Sequence, residues 1–238
     1  LVFNSGYQAN AGIIGALYGK GDCIFSDRLN HASIIDGITL SGARLFRFRH
    51  NDAGHLKALL EKERHGFRNA LIVTESIFSM DGDRAPLKEM ADLKQIFGCK
   101  MMVDEAHATG IFGKNGSGVV EEDGLSREID FVMGTFSKAL GSFGAYLAAS
   151  REVVDYLINT CRSFIYSTAL PPAVIACNIR AIELVAEEPW RRKELLLNAE
   201  FLRRSLKEKG FDVRGASQII PLVLGDNKKA LNFAEALQ

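Results

Sequence analysis

Residues 130–150 read DFVMGTFSKALGSFGAYLAAS. Two apolar runs, DFVMG and GAYLAAS, flank Lys138, which stands among hydroxyls and small residues. Each run has the continuous hydrophobicity of a strand buried on both faces. A lysine between such strands is held near a core, where an ammonium is costly unless something compensates for it. Two readings follow. Lys138 sits on a surface loop and reaches water, since lysine is almost never fully buried. Or Lys138 is an amine that bonds covalently to a carbonyl cofactor.

On either side of this stretch, strand-like runs alternate with amphipathic helical patterns. QANAGIIGALYG (8–19), HASIIDGITLSG (31–42), DAGHLKALLEKER (52–64) and PLKEMADLKQIFG (86–98) read as helices. Asp52 is the expected N-cap of the third, and Pro86 stands in the first turn of the fourth. DCIFSD (22–27), ARLFRF (43–48), NALIVTE (69–75) and KMMVDE (100–105) read as strands. This alternation predicts an α/β fold with a mostly parallel central sheet and helices on both faces. After residue 150 the pattern changes to long helices: 151–164, 171–188 and 190–210. SQIIPLVLG (217–225) then reads as a strand, followed by a helix start. The expected division is a large domain over 1–188 and the beginning of a smaller C-terminal α/β domain over 189–238.

The chain has 238 residues, 47% hydrophobic and 24% charged, with zero formal net charge. Such a balance gives no argument for nucleic acid or a membrane surface as partner. No apolar run reaches the roughly 18 residues of a spanning helix. The four scattered cysteines (Cys23, Cys99, Cys161, Cys177) form no C-x-x-C pair and read as reduced thiols of a cytoplasmic protein. The chain starts at Leu1 and stops inside a helical pattern, so it reads as part of a longer protein.

Ligands of open α/β sheets sit beyond the carboxyl ends of the strands. There the sequence places Ser79 (in SIFSMDGD), Asp104, Glu105 and His107 (in DEAHATG), Thr135, Ser137 and Lys138 (in TFSK) and His31 (in RLNHAS). NSGYQ opens the first helix. Each has a bland alternative: Asp104 as a strand-end cap, His107 as a structural histidine, Ser5 and Gly6 as a plain N-cap. No dense His/Cys/Asp/Glu set has ligand spacing, so no metal is expected. DEAH without a G-x-x-x-x-G-K-[ST] loop is a weak nucleotide signal.

Pyridoxal phosphate needs all these parts together. Its aldehyde takes a lysine Schiff base and its pyridine nitrogen an acid partner. Its phosphate favours a helix N-terminus. Lys138 supplies the amine and Asp104 the acid. The amides of Gly6 and Tyr7, with Thr135, serve the phosphate. His31 lies flat on the ring, and Ser79 and His107 bond the ring hydroxyl.

DRLNHASIIDG, HND, TESIFSMDGD, VDEAHATGIFGKNGSG, GTFSKALGS and IYSTALPP occur in this order along nearly the whole chain. By these motifs it resembles the α-oxoamine synthases, fold type I pyridoxal-phosphate transferases that condense an amino acid with an acyl thioester and lose CO2. The resemblance implies the aminotransferase class I/II fold. It puts the covalent lysine on Lys138, the ring-nitrogen acid on Asp104 and the stacking histidine on His31, the three implied catalytic residues. Ring-hydroxyl contacts fall on Ser79 and His107, and phosphate contacts on Gly6, Tyr7 and Thr135. It also implies a homodimer with shared active sites, in which Ser167 or Thr168 reaches the partner's phosphate. FIYSTALPP and SQIIPLVLGDNKKAL favour the biotin-pathway branch, which joins L-alanine to a pimeloyl thioester carried by coenzyme A or a carrier protein. A sister reaction such as glycine C-acetyltransferase, or a cofactor-binding but inactive fragment, is the alternative. The family's N-terminal segment and most of its C-terminal domain fall outside the chain. That domain carries the arginine for the substrate carboxylate.

Overall fold

The computed structural model describes residues 1–237. Strands β1 (Val2–Phe3), β2 (Cys23–Asp27), β3 (Arg44–Phe48), β4 (Ala70–Glu75), β5 (Lys100–Asp104), β6 (Phe131–Thr135) and β7 (Ala145–Ala148) form one sheet. Their order is β1-β7-β6-β5-β4-β2-β3. Strands β2 to β6 run parallel, while β7 and β1 are antiparallel to their neighbours. The run after Lys138 is therefore a strand, as expected, but it returns by a short loop instead of crossing over.

Side chains alternate along each strand, so the sheet feeds two cores. Phe25, Ile72, Met101 and Val103 face one, with Leu56 and Leu60 of α3 (Ala53–Glu63) and Met90 of α4 (Leu87–Phe97). Ile24, Leu71, Val73 and Met102 face the other. There they meet Ile13 and Ile14 of α1 (Gly6–Leu17), Ile34 and Ile38 of α2 (Ala32–Ser41) and Leu157 of α6 (Arg151–Thr160). Every residue of β2 and β4 is buried, as helices on both faces require. Asp52 caps α3 by accepting from the His55 amide at 2.7 Å. Pro86 stands one position earlier than expected, at the N-cap of α4.

Short helices α5 (Val119–Glu122) and α7 (Arg162–Ile165) lie among these elements, with α8 (Pro172–Glu187) after them. α9 (Pro189–Glu208) and α10 (Asn227–Ala236) follow. Two expectations are corrected. The helix expected over 151–164 breaks at Cys161, which is fully buried and adopts φ −75, ψ 101. SQIIPLVLG is not a regular strand. Only an isolated bridge joins Val213 to Leu222, and Pro221 has no N–H to offer a ladder. Its first residues pack instead on the turn that carries Ser79: Ser217 Oγ donates to Gly82 O at 2.8 Å, and the Ala216 amide donates to the same carbonyl at 2.9 Å.

Candidate active site

The parallel strands end together. Asp27, Glu75, Asp104 and Thr135 are the last residues of β2, β4, β5 and β6, and Glu75 pairs with Asp104 across the sheet. All four are buried. The loop after β6 brings Lys138 to this edge, with its Nζ 2.7 Å from His107 Nε2. The loop is held by Thr135, whose hydroxyl donates to Gly144 O at 2.9 Å and accepts from the Ser137 amide at 3.1 Å.

Lys138 lies at the open edge of the site, yet the surrounding protein displaces enough water to lower its pKa. The Asp104 carboxylate works against that shift. His107 goes further: desolvation, then the charges of Lys138 and His31, push it down to about 4. Its ring is neutral at pH 7, so Nε2 can accept from the Lys138 ammonium.

Asp104 is 4% exposed, and burial raises its pKa. Hydrogen bonds from Asn10 Nδ2 (2.8 Å) and the Ala106 amide (2.8 Å) oppose the rise, as do the charges of Lys138 and His31. Beside it Glu75 is pushed up to about 8, by burial first and then by the Asp104 charge. Two buried carboxyls at paired positions cannot both ionise cheaply, so Glu75 holds its proton at pH 7. Its Oε1 accepts from the His31 amide at 2.6 Å, which sets the start of α2 against β4.

The first turn of α1 presents the amides of Gly6 and Tyr7, which precede the first intrahelical bond. Ser5 caps the helix, accepting from the Gln8 amide at 3.2 Å. The Tyr7 side chain turns to the surface and hydrogen-bonds Asp36. Ser167 and Thr168 are exposed, and both are tied to this same end of their own chain. Gln8 Nε2 donates to Ser167 Oγ at 2.6 Å, and Asn4 Nδ2 to Thr168 O at 2.9 Å. Ser79 is half-buried, and its hydroxyl has no hydrogen-bond partner among the described residues.

The structure thus gathers Lys138, His107, Asp104 and His31 into one electrostatic neighbourhood. It places Ser79 on an adjoining turn and Ser167 and Thr168 at the end of α1. Sequence reasoning did not single out Asn10, Ser33, Glu75 or Gln218. Gln218 Nε2 donates to His107 O at 2.7 Å, from the stretch expected to be a strand. Asn10 sits one turn inside an apolar helix, and that buried amide was the one available signal. His50 was also unassigned. It lies between Asp27 (3.0 Å) and Asp83 (2.7 Å). Burial disfavours its protonation, but the bonds to the two carboxylates outweigh that and raise its pKa. His50, Asp81 and Asp83 bring ligand atoms within 4.8 Å of one another. With both ring nitrogens already facing carboxylates, however, His50 acts as a cationic clasp between β2 and the turn of Ser79.

The donor set fits pyridoxal phosphate: an amine of lowered pKa, a neutral imidazole, a buried acid lacking a full cation partner, and free amides at a helix N-terminus. The family model for aminotransferase class I and II matches residues 1–238. A curated relative, the 8-amino-7-oxononanoate synthase of Geobacter metallireducens, is 52% identical over 240 residues, covering 100% of this chain and 61% of that protein. Among solved structures, a serine palmitoyltransferase from S. paucimobilis with a bound PLP–myriocin aldimine superposes with a TM-score of 0.92 at 38% identity. That match covers 97% of this chain and 60% of the other. The 8-amino-7-oxononanoate synthase of Francisella tularensis gives a TM-score of 0.85 at 30% identity, covering 100% of this chain and 69% of that one. The chain spans about 60% of the length of the curated relatives it matches. Among the described residues, no helix is long and apolar enough to cross a membrane.

Proposed function

The chain belongs to the aminotransferase class I and II family, and from that premise we propose that it is the pyridoxal-phosphate-binding part of a cytoplasmic C-acyltransferase. The whole protein joins L-alanine to a pimeloyl thioester, on coenzyme A or a carrier protein, and releases CO2 to give 8-amino-7-oxononanoate for biotin synthesis. The observation that carries the reading is Lys138 Nζ at 2.7 Å from His107, beside the buried Asp104 at a strand end. The relatives named for this reaction support the choice of substrates.

When bound, the cofactor supplies a carbonyl for the lysine and a ring that draws electrons from the substrate α-carbon. Lys138 Nζ anchors it; once released, the same nitrogen takes the α-proton of alanine and later returns a proton to the product. A lowered lysine pKa serves both tasks, because more of the free base is present near neutral pH. Asp104 would hold the protonated ring nitrogen by charge, and a cation there would offset the burial that raises the Asp104 pKa. His31 would cover a face of the ring, and Ser79 and His107 would hold its hydroxyl. The Gly6 and Tyr7 amides would receive the phosphate, joined by Thr135 once its hydroxyl turns from Gly144 O. Ser167 and Thr168 serve the phosphate across a homodimer interface, which the exposed Tyr7, Ile165 and Tyr166 help to form. Residues 1–188 make up the cofactor domain, and 189–238 begin the smaller domain that completes the substrate site.

Full-length protein supplied with pimeloyl-coenzyme A and alanine, glycine or serine tests the reading. The expected outcome is 8-amino-7-oxononanoate from alanine, identified by mass, with the other two amino acids turned over more slowly. Preference for glycine or serine moves the protein to a sister reaction.

A further inference from the structure

The face histidine and the ring-nitrogen acid are joined inside the protein by two side chains, and the geometry fixes each proton between them. The Ser33 amide lies 3.2 Å from His31 Nδ1 and can only donate, so Nδ1 accepts. Ser33 Oγ lies 2.8 Å from the same nitrogen. With no proton on Nδ1, the hydroxyl donates. Its lone pairs are then free for Asn10 Nδ2, at 3.0 Å. The other N–H of Asn10 goes to Asp104 Oδ2 at 2.8 Å. Turning the Asn10 amide over would set its oxygen against the carboxylate, so its orientation is fixed too.

Asn10, Ser33 and Asp104 are 1%, 0% and 4% exposed. Asn10 Oδ1 has no partner among the described residues. A buried, unsatisfied amide oxygen is rare in native proteins. Leucine would fill this helix position without that cost. The two donated N–H bonds are what Asn10 provides in return.

We infer that Asn10 and Ser33 are positioning residues that lock His31 as the Nε2–H tautomer. A neutral imidazole keeps one proton, and with Nδ1 committed as an acceptor that proton resides on Nε2. Nε2 has no partner among the described residues. His31 therefore meets the site as a hydrogen-bond donor with fixed polarity, suited to an acceptor oxygen of the substrate. The relay also orients Asp104 from behind: the carboxylate that holds the ring nitrogen and the imidazole on the ring face are set by one buried chain of bonds. The tautomer stands on these distances alone; its effect on turnover rests on the function proposed above.

The test is nitrogen-15 NMR of histidine-labelled, cofactor-free protein at pH 8, with the His31 signals assigned by a His31→Gln variant. Wild type is expected to show Nδ1 unprotonated and Nε2 protonated. Ser33→Ala, and Ser33→Gly as a second deletion, remove one of the two donors to Nδ1. Both should shift the Nδ1 signal and bring in some of the other tautomer. In cofactor-loaded full-length protein, Ser33→Ala should lower kcat/KM about threefold to tenfold, the loss of one neutral hydrogen bond. A wild-type His31 with its proton on Nδ1 overturns the inference, and that reading needs no variant. So does a Ser33→Ala spectrum that matches wild type. If the tautomer is as stated but pyridoxal phosphate produces no visible band with the protein, the functional reading fails and the relay stands.

Discussion

Asp104 and Glu105 are consecutive acids at the end of β5, both buried and both raised in pKa by desolvation. They face opposite sides of the sheet. Glu105 is filled from within. Its Oε2 accepts from Ser76 Oγ at 2.6 Å and the Val119 amide at 3.1 Å, and its Oε1 accepts from the Val120 amide at 2.6 Å. It caps α5 and closes the loop of Gly118, whose φ of +128 leaves no room for a side chain against the carboxylate. Asp104 accepts one bond on each oxygen and has the Lys138 ammonium nearby. Burial alone therefore does not mark a working acid. Spare acceptor capacity facing a shared edge does, together with mobile positive charge in reach.

If this contrast is right, the two acids fail differently when changed. Asp104→Asn should lower turnover of the full-length enzyme by about 10²–10⁴-fold or more, because an amide cannot hold a ring proton by charge. Its unfolding free energy should move by less than about 2 kcal/mol, since the lost acceptor is offset by removing a buried charge. Exchange of the alanine α-proton at the wild-type rate would remove Asp104 from its role. Glu105→Ala should do the reverse. It orphans a hydroxyl and two amides and should cost about 3 kcal/mol or more of stability, read from denaturant unfolding. The molecules that remain folded should keep near-normal cofactor affinity.

Glu75 is a third buried acid of this edge, and it keeps its proton. Its folded pKa of about 8 lies above its unfolded value, so the folded state binds the extra proton. Its contribution to stability is complete below the ordinary carboxylate range and is lost as pH rises towards and past 8. Glu75→Gln keeps the acceptor for the His31 amide and removes this dependence. Relative to wild type it should gain on the order of 3 kcal/mol between pH 5 and pH 9. Equal slopes for the two proteins would mean that Glu75 is ionised throughout.

The smallest expected effect concerns the outer rim. Ser167→Ala with Thr168→Ala should weaken cofactor binding by about 1.5–3 kcal/mol, the loss of one charged hydrogen bond. In mixed dimers, a Lys138→Ala chain paired with the double-alanine chain has one site with both an intact lysine and an intact rim. That site should recover near-normal affinity. No recovery would confine these hydroxyls to their own chain, where Ser167 already accepts from Gln8.

The parallel core and its site edge were legible because each of β2, β4, β5 and β6 is a continuous apolar run followed at once by polar residues. Lys138, Asp104, His107 and His31 were visible as chemistry at strand ends. What the sequence concealed was whatever depends on a partner distant along the chain. Nothing local distinguishes Glu75, which is matched to Asp104 only by sheet register. Asn10 and Ser33 meet only when α1 and α2 pack together. The 217–225 run has the composition of a strand, but no neighbouring edge takes it up, and Pro221 breaks its donor pattern. The break at Cys161, which is buried and non-helical, has no local sequence signal.

Covalent attachment of the cofactor to Lys138 can be read by peptide mapping. The protein is incubated with pyridoxal phosphate, reduced with borohydride, digested and sequenced by mass spectrometry. The visible band should vanish on reduction, and the pyridoxyl mass should appear on the peptide containing Lys138 and be missing from Lys138→Ala. A stoichiometric adduct on any other lysine, or none in wild type, contradicts the claim.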